Sequence, residues 1–254
     1  MRLNVYLQQA GVGSRREAER MVEQGRVKVN GAVATPTVPV NDGDKVELDG
    51  KPLSPATRAQ PRLFLLYKPL DYLVTAFDKE GRPTIYDLPV LKPPAWDKSK
   101  PRVIYVGRLD VNSEGLLVLS SDGPLAQTMM SPATALPRVY RVRVHGRLKE
   151  REVELLRRGV TVEGERYRSV DVTEETGHTG RTNTWYRVIL TEGKNREIRR
   201  LFEHFGCVVN RLIRVQYGPF HLGKLERGQI TEVPAAEVKR FMKELAAEPV
   251  RIKA

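Results

Sequence analysis

The sequence predicts an α+β protein in two parts: a small N-terminal unit, then a larger one with a mixed, mostly antiparallel sheet flanked by helices. Three observations carry this. Residues 1–50 hold two short amphipathic helical patterns, then short alternating runs that close at Asn30-Gly31 and Asp49-Gly50. Pro52, Pro55 and Pro61 then interrupt all periodicity. Beyond Leu63 many short apolar or alternating runs recur with helical stretches between them.

The elements follow in order. Leu3, Leu7 and Ala10 share one helical face, and Gly11-Val12-Gly13 breaks the chain. Ser14-Arg15-Arg16-Glu17 forms a capping box, in which the Ser14 hydroxyl accepts from the Glu17 N–H and the Glu17 carboxylate reaches back. Ala18, Met21 and Val22 make the buried stripe of a second helix, which Gly25 stops; Arg15, Arg16, Glu19, Arg20 and Glu23 stay outside. Val27-Lys28-Val29 and Val46-Glu47-Leu48 read as short strands. Lys51 to Arg62 reads as a linker. Strands are expected at Leu63 to Leu66, Val103 to Val106, Leu116 to Leu119, Tyr140 to Val144 and Tyr186 to Leu190. Helices are expected at Leu125 to Met130, Glu150 to Arg158, Asn195 to Phe205 and Glu237 to Leu245. Pro89 to Pro101 and Gly177 to Thr184 read as surface loops.

Composition narrows the function. The 254 residues carry 43 Lys+Arg against 31 Asp+Glu, a net charge of +12. With 40% hydrophobic and 29% charged residues the chain is globular rather than disordered. The basic excess is selective, 29 Arg to 14 Lys. Arginine's planar fork suits phosphates and base edges, so the surplus points to a polyanionic partner, nucleic acid first. Cys207 is the single cysteine, which excludes an internal disulfide and gives no sign of an oxidising compartment. No apolar run is long enough to span a bilayer, and the start of the chain lacks the apolar stretch of a signal peptide. A cytoplasmic protein is expected.

The chemistry is narrowed first by what the chain lacks. There is no Walker loop, no dinucleotide fingerprint and no His/Cys metal spacing. His145, His178, His204 and His221 are scattered, and Asp42-Gly43-Asp44 lacks the other ligands of a calcium loop. The most unusual segment is Gly107-Arg108-Leu109-Asp110-Val111-Asn112-Ser113-Glu114-Gly115, a polar loop between two apolar strands with a glycine at each end. Such a loop can present Arg108 and Asp110 from a rigid sheet, or be an ordinary connection with a surface ion pair. In the helix after Gly193, Ile198, Leu201, Phe202 and Phe205 form the apolar face. Arg196 and Arg200 lie opposite, and Arg199 stands about 100° from Ile198 on the border, where a half-buried guanidinium needs an anionic partner.

These residues carry a resemblance. Gly107-Arg108-Leu109-Asp110 followed by Ser113-Glu114-Gly115-Leu116-Leu117 resembles the catalytic loop of the RsuA/RluB-type pseudouridine synthases. Tyr67-Lys68-Pro69 resembles the opening motif of that family. Arg138-Val139-Tyr140 resembles its tyrosine motif, with Arg where Lys is common, and Glu192 to Arg200 resembles its last motif. Residues 1–50 resemble the αL RNA-binding domain, the module named for ribosomal protein S-four. Arg211-Leu212-Ile213-Arg214-Val215 through Tyr217-Gly218 is most similar to the large-subunit rRNA branch. The resemblance implies an αL domain over residues 1–58, a linker at 59–61, a catalytic domain over 62–246 and a tail at 247–254.

It also implies an isomerase that detaches uracil from ribose and rejoins it through carbon five, with no metal and no cofactor. The target base is flipped out of folded ribosomal RNA at a cost of a few kcal/mol. Asp110 is the catalytic carboxylate by motif, as nucleophile or as base toward the ribose. Arg199 is its basic partner, and such a pairing typically lowers an Asp pKa by ~1–3 units. Tyr140 stacks on the base, Arg108 enters the space that the nucleotide leaves, and Ile198 walls the pocket. Ser14, Arg15, Arg16, Arg20, Arg26, Lys28, Asn30, Lys68, Asn195, Arg196 and Arg200 contact RNA, setting affinity and register more than sequence choice. The protein is expected to act as a monomer on rRNA or a subunit precursor. The alternative is a non-enzymatic rRNA-binding ribosome-assembly factor that keeps the fold.

Overall fold

The computed structural model describes residues 1–10, 12, 15–53, 60–97, 99–175 and 182–247, with backbone alone for Gln9, Arg15 and Arg16. The Gly11 and Gly13 break, the Ser14 capping box, residues 54–59 of the expected linker, most of the Gly177 to Thr184 loop with His178, and the tail after Ala247 lie outside the described residues, while the linker's first residues, Lys51–Leu53, form a strand instead. The chain divides into two units, Met1–Gln60 and Pro61–Ala254.

The first unit has helices α1 (Leu3–Gln9) and α2 (Arg15–Glu23) and strands β1 (Val27–Val29), β2 (Ala32–Val33), β3 (Val46–Leu48) and β4 (Lys51–Leu53). The strands form an antiparallel sheet in the order β2-β1-β3-β4. Helix α2 ends as its glycine predicts. Gly25 takes φ +69°, its N–H donates to the Val22 carbonyl, and the Arg26 N–H donates to that of Met21, the double bond of a Schellman cap. Asn30-Gly31 and Asp49-Gly50 all have positive φ, which suits the right-handed twist of two-residue hairpins. Leu3, Leu7, Ala18, Val22, Val27 and Val46 form a core internal to this unit.

The second unit is built on β5 (Leu63–Lys68), β6 (Ile104–Val106), β7 (Glu114–Ser120), β8 (Arg138–His145), β9 (Thr161–Val162), β10 (Glu165–Arg166), β11 (Asp171–Glu174), β12 (Asn183–Leu190), β13 (Val208–Tyr217), β14 (Phe220–His221) and β15 (Ile230–Glu232). Helices α3 (Gly123–Met130), α4 (Glu150–Arg158), α5 (Glu197–His204) and α6 (Ala235–Ala247) flank it. The main sheet runs β11-β12-β8-β13-β7-β5-β15, with β6 on β7 and β14 on β13. Among the described strand pairs β13–β7 alone is parallel, so the sheet is mixed and mostly antiparallel. Both faces of β7 are covered. Leu117 and Leu119 join Val142, Val188, Leu201 and Phe202 on one side; Leu116 and Val118 join Ala126, Met129, Val238 and Phe241 on the other. Burial on both faces explains why β7 reads as a continuous apolar run rather than an alternating one.

Two further expectations need correction. The Pro-rich stretch from Pro89 is not merely a surface loop: Leu91 is buried, and the Trp96 ring packs edge-on against Phe64 with centroids 5.0 Å apart. Helix α5 starts at Glu197 instead of Asn195, because Arg196 takes a left-handed φ of 50°.

Candidate active site

Strand β6 runs out at Gly107, whose φ of +68° turns the chain sharply. Leu109 is buried and pins the following loop to the core, which leaves its neighbours Arg108 and Asp110 facing outward. The Ser113 N–H donates to the Asp110 carbonyl at 3.0 Å and the Asp71 N–H to that of Val111 at 2.9 Å. Beneath the loop, the fully buried Lys68 ammonium donates to the carbonyls of Pro69 (2.8 Å) and Ser113 (2.7 Å), with a longer approach to Val111 (3.4 Å). Burial pulls this ammonium down to about 8, against the favourable charges of Asp71, Asp110 and Glu114.

The loop's other end is clamped by Glu114, which is fully buried. It accepts from Arg211 Nε and Arg227 Nε at 2.8 Å and from the Tyr67 hydroxyl at 3.1 Å. Burial alone pushes this carboxyl up, but the bonds from Arg227, Arg211 and Tyr67 and the charge of Arg211 outweigh it and hold it below the ordinary value. Next comes Gly115 at φ +105°, where a Cβ would stand 2.4 Å from the Arg214 carbonyl oxygen. Only glycine lets β7 meet β13 here.

Helix α5 closes the site from the opposite side. Arg199 is half-buried on the helix border; it donates from Nη1 to the Val209 carbonyl (2.9 Å) and from Nη2 to the Asn112 carbonyl (2.8 Å). Burial first, and then the Arg196 charge, lower its pKa, while Asp110 raises it. Arg199 therefore ties α5 to the Asp110 loop, but not through a contact ion pair. Among the described residues Asp110 has no side-chain hydrogen bond or contact ion pair, and its coupling to Arg199 and Lys68 acts through space.

Between loop, sheet and helix lies a pocket of about 560 Å³. Asp110, Tyr140, Ile198, Leu190 and Leu212 line it, together with the cations Arg108, Arg138, Lys194, Arg196 and Arg214. Its acids are Asp110 and Glu197 alone among the lining residues. Glu197 is itself buried against Glu192; burial and then that second carboxyl push it up to about 7, despite the Lys194 N–H that it accepts at 3.0 Å. The pocket thus carries an excess of positive charge around one outward-facing carboxylate, an arrangement that draws in an anion.

The residues read from the sequence sort as follows. The pocket brings together Arg108, Asp110, Tyr140, Asn195, Arg196 and Ile198, with Arg199 bonded to its loop. Arg20 and Lys28 are exposed on the first unit. Arg26 is exposed but spends Nε and Nη2 on Asp49 at 2.9 and 2.6 Å, and Asn30 spends its amide on Asp44 and on the Lys45 N–H. Arg200 is exposed and pairs with Glu165 at 3.2 Å. Ser14 lies outside the described residues, as do the side chains of Arg15 and Arg16. Lys68 is a correction. Expected on RNA, it is fully buried with its donors on backbone carbonyls, so it positions the loop instead. The expected contact between Arg199 and Asp110 is the second correction, because both terminal nitrogens of Arg199 are taken by carbonyls.

Sequence reasoning missed Arg138, Lys194, Glu197, Leu212 and Arg214 as pocket residues. Arg214 had a readable signal: a charge set inside the apolar run Leu212-Ile213-Arg214-Val215. The others carry none apart from their place in the motifs.

The fold and the site together define a protein with a pocket rich in cations around one carboxylate, Asp110, that has no side-chain partner among the described residues. Residues 62–204 match the family described as RNA pseudouridylate synthase, and residues 1–46 match the S4 domain. The chain is 42% identical over 255 residues to the ribosomal large subunit pseudouridine synthase B of Xylella fastidiosa, which covers 97% of the chain and 52% of that relative. It is 44% identical over 242 residues to the protein of the same name from Salmonella typhimurium, covering 93% of the chain and 80% of the relative. The chain therefore spans about half the length of the first relative and most of the second. A solved structure described as "Crystal structure of pseudouridylate synthase" shares the fold with a TM-score of 0.63 at 23% identity, over 94% of this chain and 98% of that one. The chain belongs to the RNA pseudouridylate synthase family.

Proposed function

We propose that this protein isomerises uridine to pseudouridine at one or very few positions in ribosomal RNA, of the large subunit, as the names of its relatives suggest. The observation that carries this reading is Asp110. It is a carboxylate free of protein partners among the described residues, and it lines with Tyr140 a pocket otherwise rich in cations.

The reaction breaks the bond between ribose C1′ and uracil N1, turns the base, and joins C1′ to C5. The C5 proton leaves and N1 gains one, so the change is an isomerisation without net redox. A flipped nucleotide presents its sugar to Asp110, which acts as a nucleophile at C1′ or as a base on the ribose. Tyr140 offers the ring on which the base stacks, Ile198 and Leu212 form apolar walls, and Arg108 is exposed at the mouth to fill the vacated space in the RNA. Arg199 holds the Asp110 loop through the Asn112 carbonyl and adds positive potential. In this reading residues 1–58 capture RNA, with Arg20 and Lys28 on phosphates, residues 62–246 do the chemistry, and the protein works in the cytoplasm.

The test is conversion of a large-subunit rRNA fragment without added cofactor, read by a chemical map of pseudouridines. Asp110→Asn abolishes conversion while RNA affinity stays within severalfold. Full turnover by that variant removes Asp110 from the chemistry, and a wild-type protein that binds the RNA but converts no uridine overturns the reading and leaves an RNA-binding assembly factor.

A further inference from the structure

The pocket holds one cation unlike the rest. Arg108 and Arg196 are exposed at its mouth, where water screens them. Arg138 is buried, but its terminal nitrogens are engaged by the Thr191 carbonyl (3.0 Å) and the Tyr217 hydroxyl (3.2 Å). Arg214 is 1% exposed; its Nε donates to the Leu116 carbonyl at 2.7 Å and its guanidinium lies 5.1 Å from the Tyr217 ring centre. Its Nη2 is buried and has no hydrogen-bond partner among the described residues, and no acid lies within ion-pair distance. The hydroxyl of Ser113, in the wall of the same pocket, is buried and unpartnered too. Leaving such a donor unmet costs about 1–3 kcal/mol, so two in one pocket call for a ligand that completes them.

Register says which ligand atoms are near. Arg214 on β13 is the cross-strand partner of Tyr140 on β8 and the parallel neighbour of Gly115 on β7, five residues after Asp110. Cross-strand partners share a sheet face, so Arg214 stands beside the stacking ring and beneath the catalytic loop. A base stacked on Tyr140 is the part of the substrate closest to it.

Resting on the reading of the site as that of a pseudouridine synthase, we propose that Arg214, with Ser113 beside it, stabilises the negative charge that uracil carries after its bond to ribose breaks. When the C1′–N1 bond breaks, its electron pair stays with uracil and spreads over N1, O2 and O4. The pair is returned when C5 bonds to C1′ and its proton is lost. A guanidinium fixed in a buried floor stabilises this anion more than a solvated one, because its field is little screened and it needs no reorganisation.

The experiment follows cleavage in single turnovers on a short RNA carrying either uridine or 5-fluorouridine, as loss of the starting nucleoside from the digested RNA. Fluorine withdraws electrons and stabilises the departing anion by itself. Removing one such preorganised donor costs about a hundredfold in rate. Arg214→Gln is expected to slow cleavage of uridine by about that factor and of 5-fluorouridine at least tenfold less, with RNA affinity within threefold. Arg214→Lys, which keeps a charge of shorter reach, recovers part of the loss, and it carries the test alone if Arg214→Gln does not fold. An unchanged rate in a folded variant, or equal loss on both substrates, overturns the proposal and leaves Arg214 as a structural strut. The wild-type protein on the same RNA separates the two readings, since its failure to convert uridine defeats the function and not this inference alone.

Discussion

Asp110 carries no partner of its own among the described residues, and its position is set by three residues that never need touch RNA. Lys68 holds the loop from below, Glu114 from its far end, and Arg199 from the facing helix. For Lys68→Met the stem stays and the donors go. The carbonyls of Pro69 and Ser113 then lie without this donor, at about 1–3 kcal/mol each, partly offset by no longer burying an ammonium. The variant is expected to lose about 2 kcal/mol in denaturant unfolding and at least tenfold in kcat on a short substrate, with little change in KM; wild-type kcat would remove Lys68 from the loop's support. Glu197 makes a prediction about pH. Its carboxyl is pushed up to about 7 by burial and by Glu192, so the folded protein keeps a proton that the unfolded chain releases near the ordinary value of 4.5. The stability it gives is fully present below about 4.5 and lost as pH rises to about 7. Glu197→Gln, which keeps a neutral hydrogen-bonding group, is expected to unfold at a higher temperature than the wild type at about pH 8, with the gap closing toward about pH 5. A gap that is the same at both pH values would show that the carboxyl does not titrate in this range.

The junction of β7 and β13 is the element on which the site depends, because it places Gly115 and Arg214 side by side beneath the Asp110 loop. Gly115→Ala adds a methyl 2.4 Å from a backbone oxygen in a left-handed conformation, and a strand backbone cannot step aside as a flexible side chain can. The variant is expected to lose at least about 3 kcal/mol, at the severe end for one added methyl, and to lose turnover in step; denaturant unfolding beside a conversion assay checks both. The sequence is legible where local chemistry decides. Gly25, Asn30-Gly31 and the run Leu116 to Leu119 each dictate their own geometry, and the helical angle places Arg199 on the border of α5. Strand β13 is not legible in this way. It is central and covered by neighbours, it carries Asn210, Arg211 and Arg214 within its length, and its ladder with β8 shifts register twice, so neither alternation nor an apolar run marks it. Arg214 shows in the sequence as a charge inside a short apolar run, but its place in the pocket does not, since only sheet pairing brings residues so distant in sequence as Arg138 and Arg214 to one floor. Resemblance names the motif residues Asp110, Tyr140 and Arg199; what they touch is written in the fold and not in the motif.

At the scale of the molecule, the two units have separate cores. The cluster of Leu3, Leu7, Ala18, Val22 and Val27 draws no residue from beyond Gln60, and both clusters of the larger unit draw none from before Leu63. Removing residues 1–58 therefore takes no member from the described apolar clusters of the larger unit, and the truncated chain is expected to fold with an unfolding midpoint of its own. The pocket residues all lie between Tyr105 and Arg214, so the chemistry on a short saturating RNA should survive with kcat within a few fold. What goes with the first unit is a set of exposed cations, Arg20 and Lys28 among them. For each phosphate that the shorter chain no longer neutralises, the dependence of log affinity on log salt flattens by about 0.7–0.9. The truncated protein should thus bind a long rRNA fragment more weakly at low salt, yet give up less of its remaining affinity as salt rises. Titrations across salt, set beside turnover on the short RNA, measure both. A truncated chain with the full salt slope would place the RNA-binding cations on the catalytic unit alone, and one that folds but cannot turn over the short RNA would mean that the first unit takes part in the chemistry.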